Sequence, residues 1–369
     1  MITLEKQSIK DELGKYNLTP PSKKDEDWLY YNIDKLLDEN ISETENIENE
    51  QVSTPEGNHL VFNNGRLVQK KLSNQIEISN ASNTTNTDKG FIELAKRSPD
   101  TIHLKLKNSN ETISMMYNST SGINSTNISI EIDGGELIIE RHFSTHNNSL
   151  SNNYLNIQAT NNANVIINEI NNENTGSTLD FVDTTLDTNC HLVGLNQSYL
   201  SHNSRFQNRV YMNGINATAR LNGLCINETE KECFYNTHVF HNKGENESHQ
   251  LFKSINKDKS LFEYNGKVSV KKDAQQINSY QLNQNILLDD YATIHSRPQL
   301  FIDADDVKCS HGSTTGDLNK EELFYLMSRG LDETISKKMV LRAFVDDVFQ
   351  HKKLAKYNQL IGTFLNNIL

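Results

Sequence analysis

The feature of this sequence that restricts its fold most strongly is a stretch without proline, residues 100–297, in a chain whose five prolines all lie outside it. Proline cannot donate the backbone hydrogen bond that a strand gives to its neighbour, so a long run of paired strands favours its absence. Within the stretch, alternation of apolar and polar residues predicts short strands of four to six residues. The clearest of them are residues 127–132, 136–140, 154–157, 164–169 and 209–212. We therefore predict a mainly β domain over residues 101–312.

The segments between the predicted strands are rich in asparagine, and 21 of the residues in 151–250 are Asn. Asn and Gly accept the left-handed backbone of tight corners, for example at Asn161-Asn162 and Asn213-Gly214. Two all-β architectures fit this pattern: a sandwich or barrel of hairpins, and a solenoid of stacked coils. The solenoid also lets asparagines at corresponding corners pair amide to amide, which favours it, although a biased genome composition would supply Asn as well.

The chain before this stretch combines helical and strand signals. We divide it into an N-terminal helical segment with an acidic linker, residues 1–58, and a small mixed α/β connection, residues 59–100. The signals are the apolar residues Leu4, Ile9 and Leu13, the extended break at Pro20-Pro21, helical spacing over 25–37, the acidic residues of 39–56, a strand pair joined by Asn63-Asn64-Gly65, and a short helix at 90–96.

Residues 313–369 have the apolar spacing of three short helices. Asn319 and Asp332 are suited to start the first two, Gly330 ends the first, and the last begins near Leu360. Helices this short cannot bury a core of their own. We expect one face of them to pack on the β domain and another to meet a partner.

Charge and cysteine content narrow the function classes. The chain carries 36 basic and 48 acidic residues, a net charge of −12, which argues against binding nucleic acid or a membrane surface. A secretion signal and a membrane-spanning apolar run are both missing from the sequence, so we predict a cytoplasmic protein. The four cysteines form no C-x-x-C pair and are expected to be free thiols, mostly buried.

A close pairing of cysteine and histidine is Cys309-x-His311, on a predicted final strand. Residues two apart on a strand share a face, so these side chains project together and could bind a metal or carry a persulfide. Two ligands do not complete an iron or zinc site, and the missing ones would have to come from another chain. A buried thiol beside a solvent-facing histidine is the alternative.

Other groupings carry less chemistry. His238 and His241 are three apart, which places them on opposite faces of a strand, with His249 further along. Cys225 and Cys233 are expected in the core. The sequence contains no signature of a hydrolase nucleophile, a phosphate-binding loop, a dinucleotide fold or a zinc protease.

Several sequence blocks follow one another in order: FEYNGKVSV at 262–270, DAQQ at 273–276, QLNQNILL at 281–288, PQL at 298–300, ADDVKCSHG at 304–312 and LFYLMSRG at 323–330. Together they closely resemble the SufB/SufD family of the SUF iron-sulfur assembly system, with a weaker match at Asp27-Trp28-Leu29-Tyr30. Within the family the chain is most similar to SufD-type subunits, because Asn283 and Gly312 stand where SufB-type subunits have Cys and Glu.

The resemblance implies a right-handed parallel β-helix flanked by N- and C-terminal helices, acting as a non-catalytic scaffold. Such a subunit pairs with a SufB-like paralogue, or with itself when alone, and holds a transient iron-sulfur cluster at the interface, with none expected in the isolated chain. His311 is the first candidate ligand and Cys309 the second. A SufC-like ATPase would dock on the C-terminal helices at Leu323, Phe324, Tyr325, Leu326, Met327, Arg329 and Gly330.

Two other functions remain open on the sequence. A carbohydrate-active β-helix enzyme could use the carboxylates of Asp303, Asp305 and Asp306. A zinc-binding interaction module could use the Cys/His pair. Polysaccharide cleavage would identify the first, and stoichiometric zinc in the purified protein the second.

Overall fold

The computed structural model describes residues 6–42, 55–80 and 90–369. Leu4 and most of the predicted acidic linker lie outside these ranges. Outside the solenoid the elements are β1 Lys6–Ser8, α1 Ile9–Lys15, a 3-10 turn Glu26–Trp28, α2 Ile33–Asp38, β2 Asn40–Ser42, α3 Phe91–Lys96, α4 Lys320–Ser328, α5 Glu333–Asp346, 3-10 turns Asp347–Phe349 and Ala355–Tyr357, and α6 Ile361–Ile368.

The strands of the solenoid and of its first end follow in chain order. They are β3 Asn58–Asn63, β4 Arg66–Lys71, β5 Ile76–Asn80, β6 Thr101–Ser119, β7 Gly122–Thr145, β8 Ser149–Thr160, β9 Asn164–Asn172, β10 Ser177–Leu186, β11 His191–Tyr199, β12 Asn203–Met212, β13 Thr218–Asn227, β14 Glu232–His241, β15 Glu247–Asn256, β16 Leu261–Val270, β17 Ile277–Leu287, β18 Thr293–Ile302 and β19 Val307–Gly316.

From β8 onward each strand pairs in parallel with the strand two places along the chain, which is the topology of stacked coils. Ser177 pairs with Asn203 and Leu261 with Thr293, so a coil takes 26 to 32 residues. The predicted parallel β-solenoid is confirmed, with about eight turns and helices at both ends. Its last strand continues to Gly316, beyond the boundary at residue 312 that the sequence suggested.

The strands are longer than predicted, mostly 9 to 12 residues. Polar residues that seemed to end the alternation continue it instead, because they face inward and pair there. Asn208 donates to the Asn196 side chain at 3.0 Å inside the solenoid. The interior also holds a buried ion pair, in which Arg141 donates to both carboxylate oxygens of Asp180 at 2.8 and 2.6 Å.

Asparagines occupy the corners as the sequence indicated. Asn161, Asn162, Asn189 and Asn216 all have positive φ. The amide of Asn216 donates to Asn189 of the previous coil at 2.6 Å. The same pairing recurs at the corner where Asn242 donates to Asn213 at 2.7 Å and on the sheet face where Asn265 donates to Asn236 at 2.9 Å. Amide pairing along the stack is therefore present.

The N-terminal segment lies on the outer face of one solenoid sheet. The predicted helix over 25–37 is wrong as a single helix, because Asn32 caps a separate α2 and the 3-10 turn precedes it. Trp28 and Tyr31 turn inward and pack on Phe181 and Phe234. Burial of these aromatic rings outweighs the local helical spacing.

Acidic residues tie this segment to the sheet. Lys267 Nζ donates to Glu26 at 2.8 Å and to Asp27 at 2.9 Å. These hydrogen bonds lower the pKa of Glu26. Burial alone would raise the pKa of Asp27, but the hydrogen bond and charge of Lys267 outweigh it and leave that pKa below its ordinary value. The attachment is therefore strongest when both groups are ionised.

Acid should loosen the N-terminal segment. A carboxyl whose folded pKa is lowered stabilises the fold above its unfolded pKa and loses that contribution as the pH falls through the folded value, here below about pH 4. Lys267→Met should move the transition to higher pH, and Lys259→Met, which alters an exposed ion pair, should not. Fluorescence of Trp28, the sole tryptophan, reports the change. Identical acid profiles for the two variants would contradict this account.

The C-terminal helices divide into a packed and an exposed part. Leu341 and Val345 of α5, with Ile361 and Phe364 of α6, join a core cluster with apolar side chains from the solenoid. Phe364 stacks on Tyr199 at a centroid distance of 4.6 Å. In contrast, every residue of α4 is at least partly exposed. The expectation that one face packs on the β domain is confirmed.

Candidate functional site

Cys309 and His311 lie on β19, the last strand of the solenoid. Cys309 is the register partner of Ser279 and His311 that of Gln281 on β17. Ser279 and Gln281 are buried residues, so the row that β19 continues belongs to the inward face of the coil. Cys309 is half-buried against an apolar cluster that includes Val268, while His311 is exposed. This register agrees with the prediction that both side chains project from one face of the strand.

The two ends of the solenoid differ. At the first end, β3 and β5 both pair with β6, and β4 pairs with β3. At the other end, β18 pairs with β16 and β19 with β17, and no further strand among the described residues pairs with their outer edges. Most side chains of β19 are exposed. They include His311, although its neighbour on the preceding coil, Gln281, is buried. An unpaired edge of this length is a ready template for another chain.

Behind Cys309, two serines and a histidine form a row of hydrogen-bonded side chains that runs into the solenoid. Ser279 and Ser248 hydroxyl groups are 2.8 Å apart, and Ser248 lies 2.9 Å from Nε2 of His241. Burial lowers the pKa of His241 to about 4, so its imidazole is neutral at physiological pH. Burial also raises the pKa of Cys309, although the Ser279 backbone opposes the shift. Cys309 is therefore a thiol until a metal or a base deprotonates it.

Behind His311 the arrangement is different. Gln281 is its neighbour on β17 and Gln250 the next along on β15. The Gln250 carbonyl oxygen accepts hydrogen bonds from the hydroxyl groups of Thr237 and Tyr264. Gln281 is fully buried, and neither its Nε2 nor its Oε1 has a hydrogen-bond partner in the described part of the chain.

The pair offers a sulfur and an imidazole nitrogen, two of the donor types that iron and zinc accept. Among the described residues, no group of three or more His, Cys, Asp or Glu side chains could hold a metal ion. Cys309 and His311 would supply two ligands to a metal ion bound here. Asp303, Asp305 and Asp306 are exposed in the segment between β18 and β19.

The other histidines and cysteines considered in the sequence lie apart from Cys309 and His311. His238 faces outward and contacts Ser269 at 2.8 Å, whereas His241 faces the interior. His249 pairs with Glu247 on the surface. Cys225 and Cys233 are buried free thiols in the core, as expected. The histidines therefore form no joint site.

Helix α4 and the start of α5 form an exposed apolar surface, which we call the hairpin surface and define as Leu323, Phe324, Leu326, Met327, Ile335 and Met339. Phe324 is 74% exposed and Met327 44%. The neighbouring Tyr325 is 57% exposed, with the Arg329 guanidinium 5.2 Å from its ring centroid. Gly330 has φ +93° and lets the chain turn into α5. Leu323 and Leu326 are half-buried.

No role follows from the sequence alone for Gln281 or for the interior charges Glu169 and Asp180, because polar and charged residues usually face solvent. The available signal was spacing: Asp180 is two residues from Val182, and Glu169 is two residues from Ile167, both of which face inward.

Fold and site together define the class: a parallel β-solenoid, covered at one end and open at the other, with a cysteine and a histidine side by side at the open end. The family model "SUF system FeS cluster assembly, SufBD core domain" matches residues 115–344. This chain belongs to the SufB/SufD family and is a SufD-type member of it.

Curated relatives agree. The Escherichia coli iron-sulfur cluster assembly protein SufD is 37% identical over 158 residues, which are 43% of this chain and 36% of the relative. The Synechocystis SufBD family protein slr0076 is 40% identical over 108 residues, 29% of this chain and 24% of the relative. The chloroplastic protein ABCI7 of Arabidopsis thaliana is 36% identical over 130 residues, 34% and 26% of the two chains. The matches thus span about a quarter to a third of these relatives.

Within the described ranges, no helix combines the length and the apolar character needed to cross a bilayer.

Proposed function

We propose that this chain is the non-catalytic, SufD-like scaffold subunit of a SufBCD-type complex in the cytoplasm. It pairs with a SufB-like paralogue through the open end of the solenoid. The two subunits share a transient iron-sulfur cluster, which is cargo rather than a resident cofactor. A SufC-like ATPase docks on the hairpin surface and supplies the energy. The observation that carries this proposal is the half-site of Cys309 and His311 on an unpaired terminal strand.

Geometry and chemistry support the pairing. Edges of β18 and β19 offer backbone donors and acceptors to a partner strand. Tyr291 and Phe301, exposed by 74% and 49%, add apolar area next to those edges. A partner that continues the stack brings its own side chains against His311 and can complete the coordination that this chain leaves unfinished. A homodimer through the same edges is the form expected of the chain alone.

The other two functions have less support. The three aspartates stand in an exposed segment rather than in a cleft that could enclose a sugar ring. A zinc module needs about four ligands from one chain, and this site supplies two.

Anaerobic reconstitution tests the proposal. The chain, a SufB-like subunit and a SufC-like ATPase are co-expressed, purified as a complex, and supplied with ferrous iron and sulfide. We expect the visible absorption of a cluster only when both solenoid subunits are present. Equal cluster formation without this chain, or failure of the three proteins to co-purify, would refute it.

A further inference from the structure

Gln281 is a buried polar side chain with unmet hydrogen-bonding capacity. It is fully buried, yet both heteroatoms of its amide lack partners among the described residues. A buried polar group without a partner destabilises the fold. An apolar side chain of the same length would avoid that cost. Gln281 therefore retains hydrogen-bonding capacity that no contact among the described residues uses.

The side chains that line up behind Cys309 on the preceding coils differ from Gln281 in their hydrogen bonding. There, Ser279 pairs with Ser248, and Ser248 with His241, so each hydroxyl group is satisfied. Behind His311, the Gln250 carbonyl oxygen is already used by Thr237 and Tyr264 and is not available to Gln281. Among the described residues, unmet capacity behind Cys309 falls on Nδ1 of His241, further inside the solenoid, whereas behind His311 it falls on both amide atoms of Gln281, the direct neighbour, and on Nε2 of Gln250.

Geometry points Gln281 towards His311. The two residues are register partners on adjacent parallel strands, and neighbouring strands lie about 4.8 Å apart with paired side chains on one face. A histidine that binds a metal through one ring nitrogen commonly donates the N–H of the other to a carbonyl or carboxylate oxygen. The free Oε1 of Gln281 is such an acceptor.

We propose that Gln281 is a positioning residue for His311. Its Oε1 accepts a hydrogen bond from one imidazole N–H, which fixes the ring and presents the other nitrogen, unprotonated, to the cluster at the subunit interface. This inference rests on the proposed function, because it requires His311 to be a ligand there. The side chain of Gln281 itself does not touch the cargo.

Three substitutions in the co-expressed complex test the role. Gln281→Met removes the acceptor and keeps the length of the side chain, Gln281→Glu retains an oxygen acceptor, and Gln284→Met alters the opposite face of β17. The complexes receive ferrous iron and sulfide anaerobically. Bound iron, visible absorption and the thermal midpoint of the isolated chain are measured.

We expect Gln281→Met to retain roughly a tenth or less of the wild-type iron, in line with the 10- to 100-fold effects of such outer ligands. Its thermal midpoint should be equal or higher, since two unsatisfied buried atoms are gone. Gln281→Glu should restore most of the iron, and Gln284→Met should match wild type. Wild-type iron in Gln281→Met, or failure of Gln281→Glu to restore it, would overturn the inference.

His311→Ala distinguishes failure of the proposed function from failure of the role proposed for Gln281. If it leaves bound iron unchanged, the proposed function fails together with this inference. If it removes the iron while Gln281→Met does not, only the role of Gln281 fails. A purely structural role for Gln281 predicts a lower thermal midpoint in both Gln281 variants and no restoration by glutamate.

Discussion

His311→Ala is expected to abolish cluster formation in the assembled complex while leaving the chain folded and paired. The imidazole is exposed on a terminal strand, so its removal takes nothing from the core. In the proposed function it is a ligand of the shared cluster, and its removal leaves that coordination incomplete. Visible absorption after anaerobic reconstitution measures the first effect, and size-exclusion chromatography the second.

His249→Ala is the matched control for that experiment. His249 is a strand histidine on the outer face of β15, paired with Glu247 and away from the open end. Its replacement should leave the cluster at the wild-type level. Should His311→Ala unfold the protein, or should both variants assemble a normal cluster, the half-site is not where the cluster forms.

The shared face of Cys309 and His311 could be predicted from a local rule, strand parity. Cys309 and His311 are two apart on one strand, and that alone places them on one face. Their position on the final strand followed from the change to helical spacing near Gly316. Capping of α4 by Asn319 and of α5 by Asp332 was equally local, and both caps are present.

What the sequence left unpredicted depends on contacts across the coils. Gln281 and Asp180 are polar residues of a kind that usually faces solvent, and they become buried only when the coils stack on one another. The helix expected over 25–37 has the right spacing, but Trp28 and Tyr31 gain more by packing on the solenoid than by continuing a helix. Interior polarity is thus a property of the assembled coils rather than of any one segment.

Phe324→Ala is expected to weaken binding of the SufC-like ATPase by about thirtyfold or more. Its ring is 74% exposed on the hairpin surface, and a truncated aromatic anchor at the centre of an interface costs about 2 kcal/mol or more. The solenoid should be unaffected, since α4 contributes no buried residue to its core. Titration calorimetry of the purified ATPase against each variant measures the change.

Point substitution is preferable to truncation before Leu323, which would also remove α5 and α6. Those helices supply Leu341, Val345 and Phe364 to a core shared with the solenoid, so a truncated chain would lose stability as well as a docking surface. Tyr291→Ala is the control, because Tyr291 is equally exposed, at 74%, but lies beside the open end. It should leave ATPase affinity unchanged. Equal loss in the two variants, or none in Phe324→Ala, would place the ATPase elsewhere on the chain.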